Sequence, residues 1–125
     1  MQKINDKYLE NKNAAYELKL KERYNASVSR FYYSIYQKMM VYILRNNKKT
    51  FSNDDPHVKN RELFLNIFIQ NNPNKTKKEI NDIRNQINDL KKLRIKADYL
   101  DEGISKNDAD YAELTYNDLD KIIYI

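Results

Sequence analysis

The sequence predicts an all-α fold, an up-and-down bundle of four long helices with a shorter fifth. Three observations carry this reading. One Gly and two Pro in 125 residues leave little turn chemistry for a many-stranded sheet. Apolar residues recur three and four positions apart along successive segments, the period of a helix face. Two patterns, Thr76 to Glu79 and Ser105 to Asp108, have the Ser/Thr-x-x-acid form of a capping box. A chain of this length supplies one core, so residues 1–125 read as a single domain.

The first helix is expected over about residues 5–21, with Leu9, Tyr16 and Leu20 on one side and Tyr8 and Ala15 beside them. The second, about residues 25–45, is the most apolar. Val28, Phe31, Tyr32, Ile35, Met39, Tyr42 and Ile43 share one broad face, and Val41 and Leu44 lie on the reverse. A helix apolar almost all round belongs at the centre of a bundle. Its reverse side also carries Arg30, Tyr33, Ser34 and Gln37, a polar strip that runs on into Val41 and is therefore expected to be covered in part.

The polar stretch NNKKTFSNDDP reads as a loop, with Asp55 placed to cap a third helix at about residues 56–70 and Pro56 suited to its first position. Leu63, Phe64, Ile67 and Phe68 form its apolar face, and Asn71, Asn72 and Pro73 stop it. The fourth helix, about residues 76–99, carries Ile80, Ile83, Ile87, Leu90 and Ala97 as a stripe with one gap. The slot between Leu90 and Ala97 is Arg94. A charge in a core stripe is expensive unless paired, and Asp98, one turn on, is its nearest partner. Gly103 breaks the chain before a last helix striped with Ala109, Ala112, Tyr116, Leu119, Ile122 and Ile123.

Composition removes several functions. There is no Cys, so disulfides, Cys-based zinc sites and thiol nucleophiles are excluded, and one His cannot build a His-rich metal centre. With one Gly, the Gly-rich nucleotide loops and the GxSxG elbow cannot exist, and there is no HExxH. No cofactor and no metal site are expected. The polar N-terminus and the lack of an apolar run near ~20 residues lead us to expect a soluble, cytoplasmic protein without a membrane partner. A net charge of +5 and a pI of about 9.2 suit contact with polyanions. Lys, Asn and Ile are equally what AT-rich codons encode, so the charge alone does not assign a ligand.

His57 is the one side chain with an ordinary pKa near neutrality, hence the candidate general acid or base. A helix N-terminus and Arg61 one turn on would keep it neutral. Eleven Tyr and no Trp supply apolar bodies with polar tips, suited to wet cores, interfaces or base stacking. Tyr32 and Tyr36 read as packing groups, and Tyr33, beside Arg30, as a ligand-facing one.

Two stretches together resemble a known family. ASVSRFYYSIYQ carries an Arg-x-Tyr-Tyr motif and LRIKADYLDEGISKNDAD an Ala-Asp-Tyr motif, and both are similar to segments of small stand-alone HEPN (higher eukaryotes and prokaryotes nucleotide-binding) proteins. DPHVKNRELF falls where many members have a His. The likeness spans about residues 14–122, with Ser34 where the family usually has Ala.

The resemblance implies a helical bundle, usually a homodimer, that binds nucleotide or RNA and is often paired with a minimal nucleotidyltransferase in a toxin–antitoxin system. It also implies one polar groove lined by Arg30, Tyr33, His57, Arg94, Asp98 and Tyr99. Ribonuclease members carry Arg-x(4–6)-His, whereas here Arg45 precedes His57 by eleven intervening residues. Three functions compete on this reading. The first is a nucleotide- or RNA-binding HEPN-like protein with a nucleotidyltransferase-like partner. The second is a metal-independent ribonuclease with His57 as base and Arg30, Arg61 or Arg94 stabilising the phosphorane. The third is a structural dimer in which Arg94 closes a buried ion pair.

Overall fold

The computed structural model describes residues 2–125. Its elements are α1 (Gln2–Leu20), α2 (Tyr24–Arg45), α3 (Pro56–Asn71), α4 (Lys77–Tyr99) and α5 (Lys106–Ile122). The all-α expectation is met, and there is no strand among the described residues. The last helix is no short appendage: α5 has 17 residues and α3 has 16.

α2 packs against each of the other four helices. Val28, Phe31, Ile35 and Ile43 are fully buried, and Val41 on the reverse side is buried too. The almost all-round apolarity of this helix thus has a direct cause in its central position.

Side-chain contacts give the directions. Ser27 donates to the Ala15 carbonyl and Ser34 to that of Tyr8, so α1 and α2 are antiparallel. Tyr32 meets His57, Tyr36 meets Asn60 and Tyr42 meets Asn71, so α2 and α3 run parallel. The up-and-down alternation is therefore broken once, by the crossover loop of residues 46–55. Asn60, buried in α3, pins that loop through both the N–H and the carbonyl of Phe51. Alternation resumes in α4 and α5, where Lys96 reaches Asp108 and Tyr111 reaches Asp89.

Local chemistry explains the helix ends. Both capping boxes form: the Thr76 side chain accepts from the Glu79 N–H and the Ser105 side chain from the Asp108 N–H, each with the reciprocal bond. Asp55 does occupy the N-cap of α3, yet its side chain caps nothing. It sits in the left-handed region at φ 55°, directly after Asp54 at 48°. In that conformation the chain turns from the crossover into α3 by its backbone alone, with Pro56 beginning the helix. Gly103, at φ +72°, makes the turn from α4 towards α5, and the Asn25 side chain accepts from the neighbouring Ile104 N–H.

The expected face of α1 is met by Tyr8, Ala15 and the half-buried Tyr16, and fails at Leu9 and Leu20. Leu9 and Leu20 are exposed, Leu20 by 86%, while Tyr8, Asn11 and Ala15 are buried. The reason lies opposite. α2 offers α1 the strip of Ser27, Arg30, Ser34 and Gln37, and a polar strip is matched by polar and small residues. Asn11 donates to Gln37 and accepts from Arg30, and Ala15 lets Ser27 approach its carbonyl.

α5 closes the other side of this layer. Tyr116 shares a hydrogen bond with Ser34, while Asp120 accepts from Tyr8 at 2.6 Å, Lys12 at 2.9 Å and Lys38 at 2.7 Å. No helix among the described residues is long and apolar enough to cross a membrane.

Candidate functional site

Arg94 holds the gap in the α4 stripe and is 8% exposed. Ile80, Ile83, Ile87 and Leu90 continue the stripe below it into the core. Its guanidinium carbon lies 5.3 Å from the ring centre of Tyr32, 5.5 Å from that of Tyr33 and 5.7 Å from that of Tyr99. Three aromatic faces around one cation stabilise it by about 0.5–2 kcal/mol each. They do not satisfy its N–H donors.

Asp98, the partner expected from the sequence, stands 3.9 Å from Nη1. That is an ion-pair distance and no hydrogen bond. Arg94 Nε is buried with no partner at all. A buried donor left so costs about 1–3 kcal/mol.

His57 lies against the same two rings of α2. Its Nδ1 is 2.6 Å from Tyr32 Oη, and its ring stacks on Tyr36 at 4.2 Å and 11° and meets Tyr33 edge-on at 6.3 Å. Tyr36 is itself held by Asn60, which donates to its hydroxyl. Burial, then the charges of Arg94 and Lys91, hold the His57 pKa below 6.5, against a weaker opposite pull from Asp55. The shift favours the neutral ring expected from the sequence, with Arg94 and Lys91 supplying the charge in place of Arg61.

Burial also pushes the Tyr32 hydroxyl well above the usual phenol range. Tyr32 is 2% exposed and its hydroxyl has no other acceptor, so the arrangement that satisfies both groups has Tyr32 donating to Nδ1. The outward-facing Nε2 then carries the proton. His57 is a hydrogen-bond donor in this state, which suits binding an anion better than taking a proton.

The remaining sequence candidates divide. Tyr33 is half-buried against Arg94 and His57, and Asp98 and Tyr99 frame the mouth, with Tyr99 71% exposed. Arg30 is not part of this groove. It donates to Asn11 at 2.9 Å on the α1 side, because positions 30 and 33 of α2 point to different neighbours. Arg61 donates to Glu62 at 2.9 Å and to Asn88 at 2.6 Å, in a lateral α3–α4 network that also ties Arg84 to Glu62. Its charge still reaches Tyr32.

Sequence reasoning missed Ser29, Asn60 and the site role of Tyr32. Ser29 donates to Asp98 at 3.4 Å and lies one turn before Tyr33. Asn60 continues the Phe64 stripe one turn earlier, and a polar residue on a buried stripe is the same signal that singled out Arg94.

Among the described residues no group of three His, Cys, Asp or Glu side chains is placed to hold a metal ion. A surface recess of about 410 Å³ lies away from this cluster, lined by residues 22–26 and 102–104. What α2, α3 and α4 bring together is a cation with free donors, a neutral imidazole N–H and exposed aromatic surface. Such a set can hold an anionic group and stack a planar one. Comparison with family models, with curated proteins and with solved structures found no match to this chain.

Proposed function

We propose that this chain is a HEPN-like protein that binds a nucleotide or RNA, with Arg94 taking a phosphate and Tyr99 or Tyr33 stacking on a base. In this reading it works in the cytoplasm as a homodimer beside a nucleotidyltransferase-like partner, as in toxin–antitoxin pairs. The observation that carries it is Arg94: a buried guanidinium with no hydrogen bond and only a loose carboxylate, opening towards an exposed Tyr. Phosphate is the group whose geometry matches a guanidinium fork. The Arg-x-Tyr-Tyr and Ala-Asp-Tyr resemblance supports the same assignment through Tyr33, Arg94, Asp98 and Tyr99, and no longer through Arg30.

His57 in this reading binds and does not cleave, because its proton sits on the outward nitrogen. The test is fluorescence polarisation with labelled short RNA, comparing wild type with Arg94→Met. Binding weakened by about tenfold or more, the scale of one lost charge-assisted contact, is expected. Equal binding by both proteins would remove Arg94 from the ligand. RNA that stays intact with wild type is the accompanying expectation; cleavage that His57→Ala abolishes would replace binding with catalysis.

A further inference from the structure

We propose that the Arg94 cage takes a terminal phosphomonoester, the phosphate at the end of a nucleotide or RNA, in preference to a phosphodiester within a chain. This rests on the reading of Arg94 as a phosphate ligand and narrows it. Access is the first ground. An arginine 8% exposed, its guanidinium walled by Tyr32, Tyr33 and Tyr99, is reached only by a group that protrudes. An internal phosphodiester carries a sugar on both sides, and both would have to enter between the rings. A terminal phosphate enters alone.

Competition is the second ground. Any anion must displace Asp98 from beside Arg94. A diester bears one negative charge, the same as the carboxylate already there. A monoester near neutral pH bears about −1.5 to −2 and so competes better. The carboxylate does not depend on Arg94 alone, since Ser29 already donates to the same oxygen at 3.4 Å and remains its partner when the guanidinium turns to a phosphate.

Donor number is the third. A monoester offers three non-bridging oxygens where a diester offers two. The donors come from two helices: Arg94 on α4, whose Nη1 stands 3.9 Å from Asp98 without a hydrogen bond, and His57 on α3, whose Nδ1 is engaged by Tyr32. His57 also lies in the first turn of α3, an N-terminus that Asp55 leaves uncapped and whose dipole favours negative charge.

The experiment uses one short RNA in three forms: 5′-phosphorylated, 3′-phosphorylated and hydroxyl at both ends. These are titrated into the full chain, Arg94→Met, Arg94→Lys and Asp98→Asn, with folding of each checked by circular dichroism. At least one phosphorylated form is expected to bind about tenfold tighter than the hydroxyl form. Arg94→Met and Arg94→Lys should erase that preference, the latter because it keeps the charge and loses the fork. Asp98→Asn should enlarge it by removing the competing carboxylate.

A 5′-mononucleotide that competes as well as the RNA would identify free nucleotide as the source, and competition by RNA alone would identify the RNA end. Equal affinity for all three forms, weakened together in Arg94→Met, would overturn the end-phosphate inference and leave the phosphate reading standing. Binding untouched by Arg94→Met, or no binding by any form, would overturn both.

Discussion

Arg94 and His57 are coupled through space, and the coupling can be read from one of them. Burial and the two cations both disfavour imidazolium at position 57. Removing one cation relieves part of this, so His57 in Arg94→Ala should titrate at higher pH than in wild type, yet still below 6.5 because burial remains. The imidazole proton resonance followed by NMR across pH 4–8 measures it; an unchanged midpoint would separate the two residues. Arg94 was legible in the sequence because an aliphatic stripe has a single vacancy in its period. That its Asp98 partner is loose was not legible. An i,i+4 spacing places two side chains on one face, but whether they meet depends on the rings around them, here Tyr32, Tyr33 and Tyr99.

Elements were legible where their signals are local. Thr76 with Glu79 and Ser105 with Asp108 need only neighbouring residues to form, and both do. Faces set by a partner helix were less so. Leu9 and Leu20 look like part of a buried stripe of α1, and only the polar strip on α2 turns the face towards Asn11, with Tyr8 and Ala15 kept. Asp55 belongs to this class as well. Its identity suggests a capping side chain, while the turn from the crossover into α3 imposes a left-handed backbone instead. Asp55→Gly should therefore leave stability unchanged or raise it by up to about 1 kcal/mol, since Gly adopts that conformation without strain. A loss of about 1 kcal/mol in urea unfolding would restore the capping role.

At the scale of the molecule, the crossover loop lets α3 lie parallel to α2, and this brings the first turn of α3 to the same rings as Arg94 near the end of α4. Connection direction has no sequence signal of its own beyond a long polar loop, so an up-and-down order was the natural but inexact expectation.

The far side of the bundle is held by Asp120. Burial raises its pKa, but hydrogen bonds from Lys38, Tyr8 and Lys12 outweigh this and hold the carboxyl below its ordinary 3.8. A depressed carboxyl contributes stability above the unfolded value and loses it as pH falls through the folded one. Asp120→Asn should thus cost about 3 kcal/mol at pH 7, because Lys38 is left buried without its counter-charge, and the gap to wild type should close below about pH 4. Unfolding midpoints at pH 7 and pH 3 give both values, and a gap that does not change with pH would mean the carboxylate charge is not what binds these helices.

An Arg94 that serves a ligand and not the fold should be dispensable to folding, and the unfolding free energy of Arg94→Met without any ligand measures this. Met fills the same stripe position with a straight apolar chain and removes a buried donor that has no partner. A variant within about 1 kcal/mol of wild type, or more stable, is expected in denaturant unfolding, since the lost ring contacts and the removed unpaired donor offset one another. A loss near 3 kcal/mol would contradict it and make Arg94 a structural tie between α4 and α2.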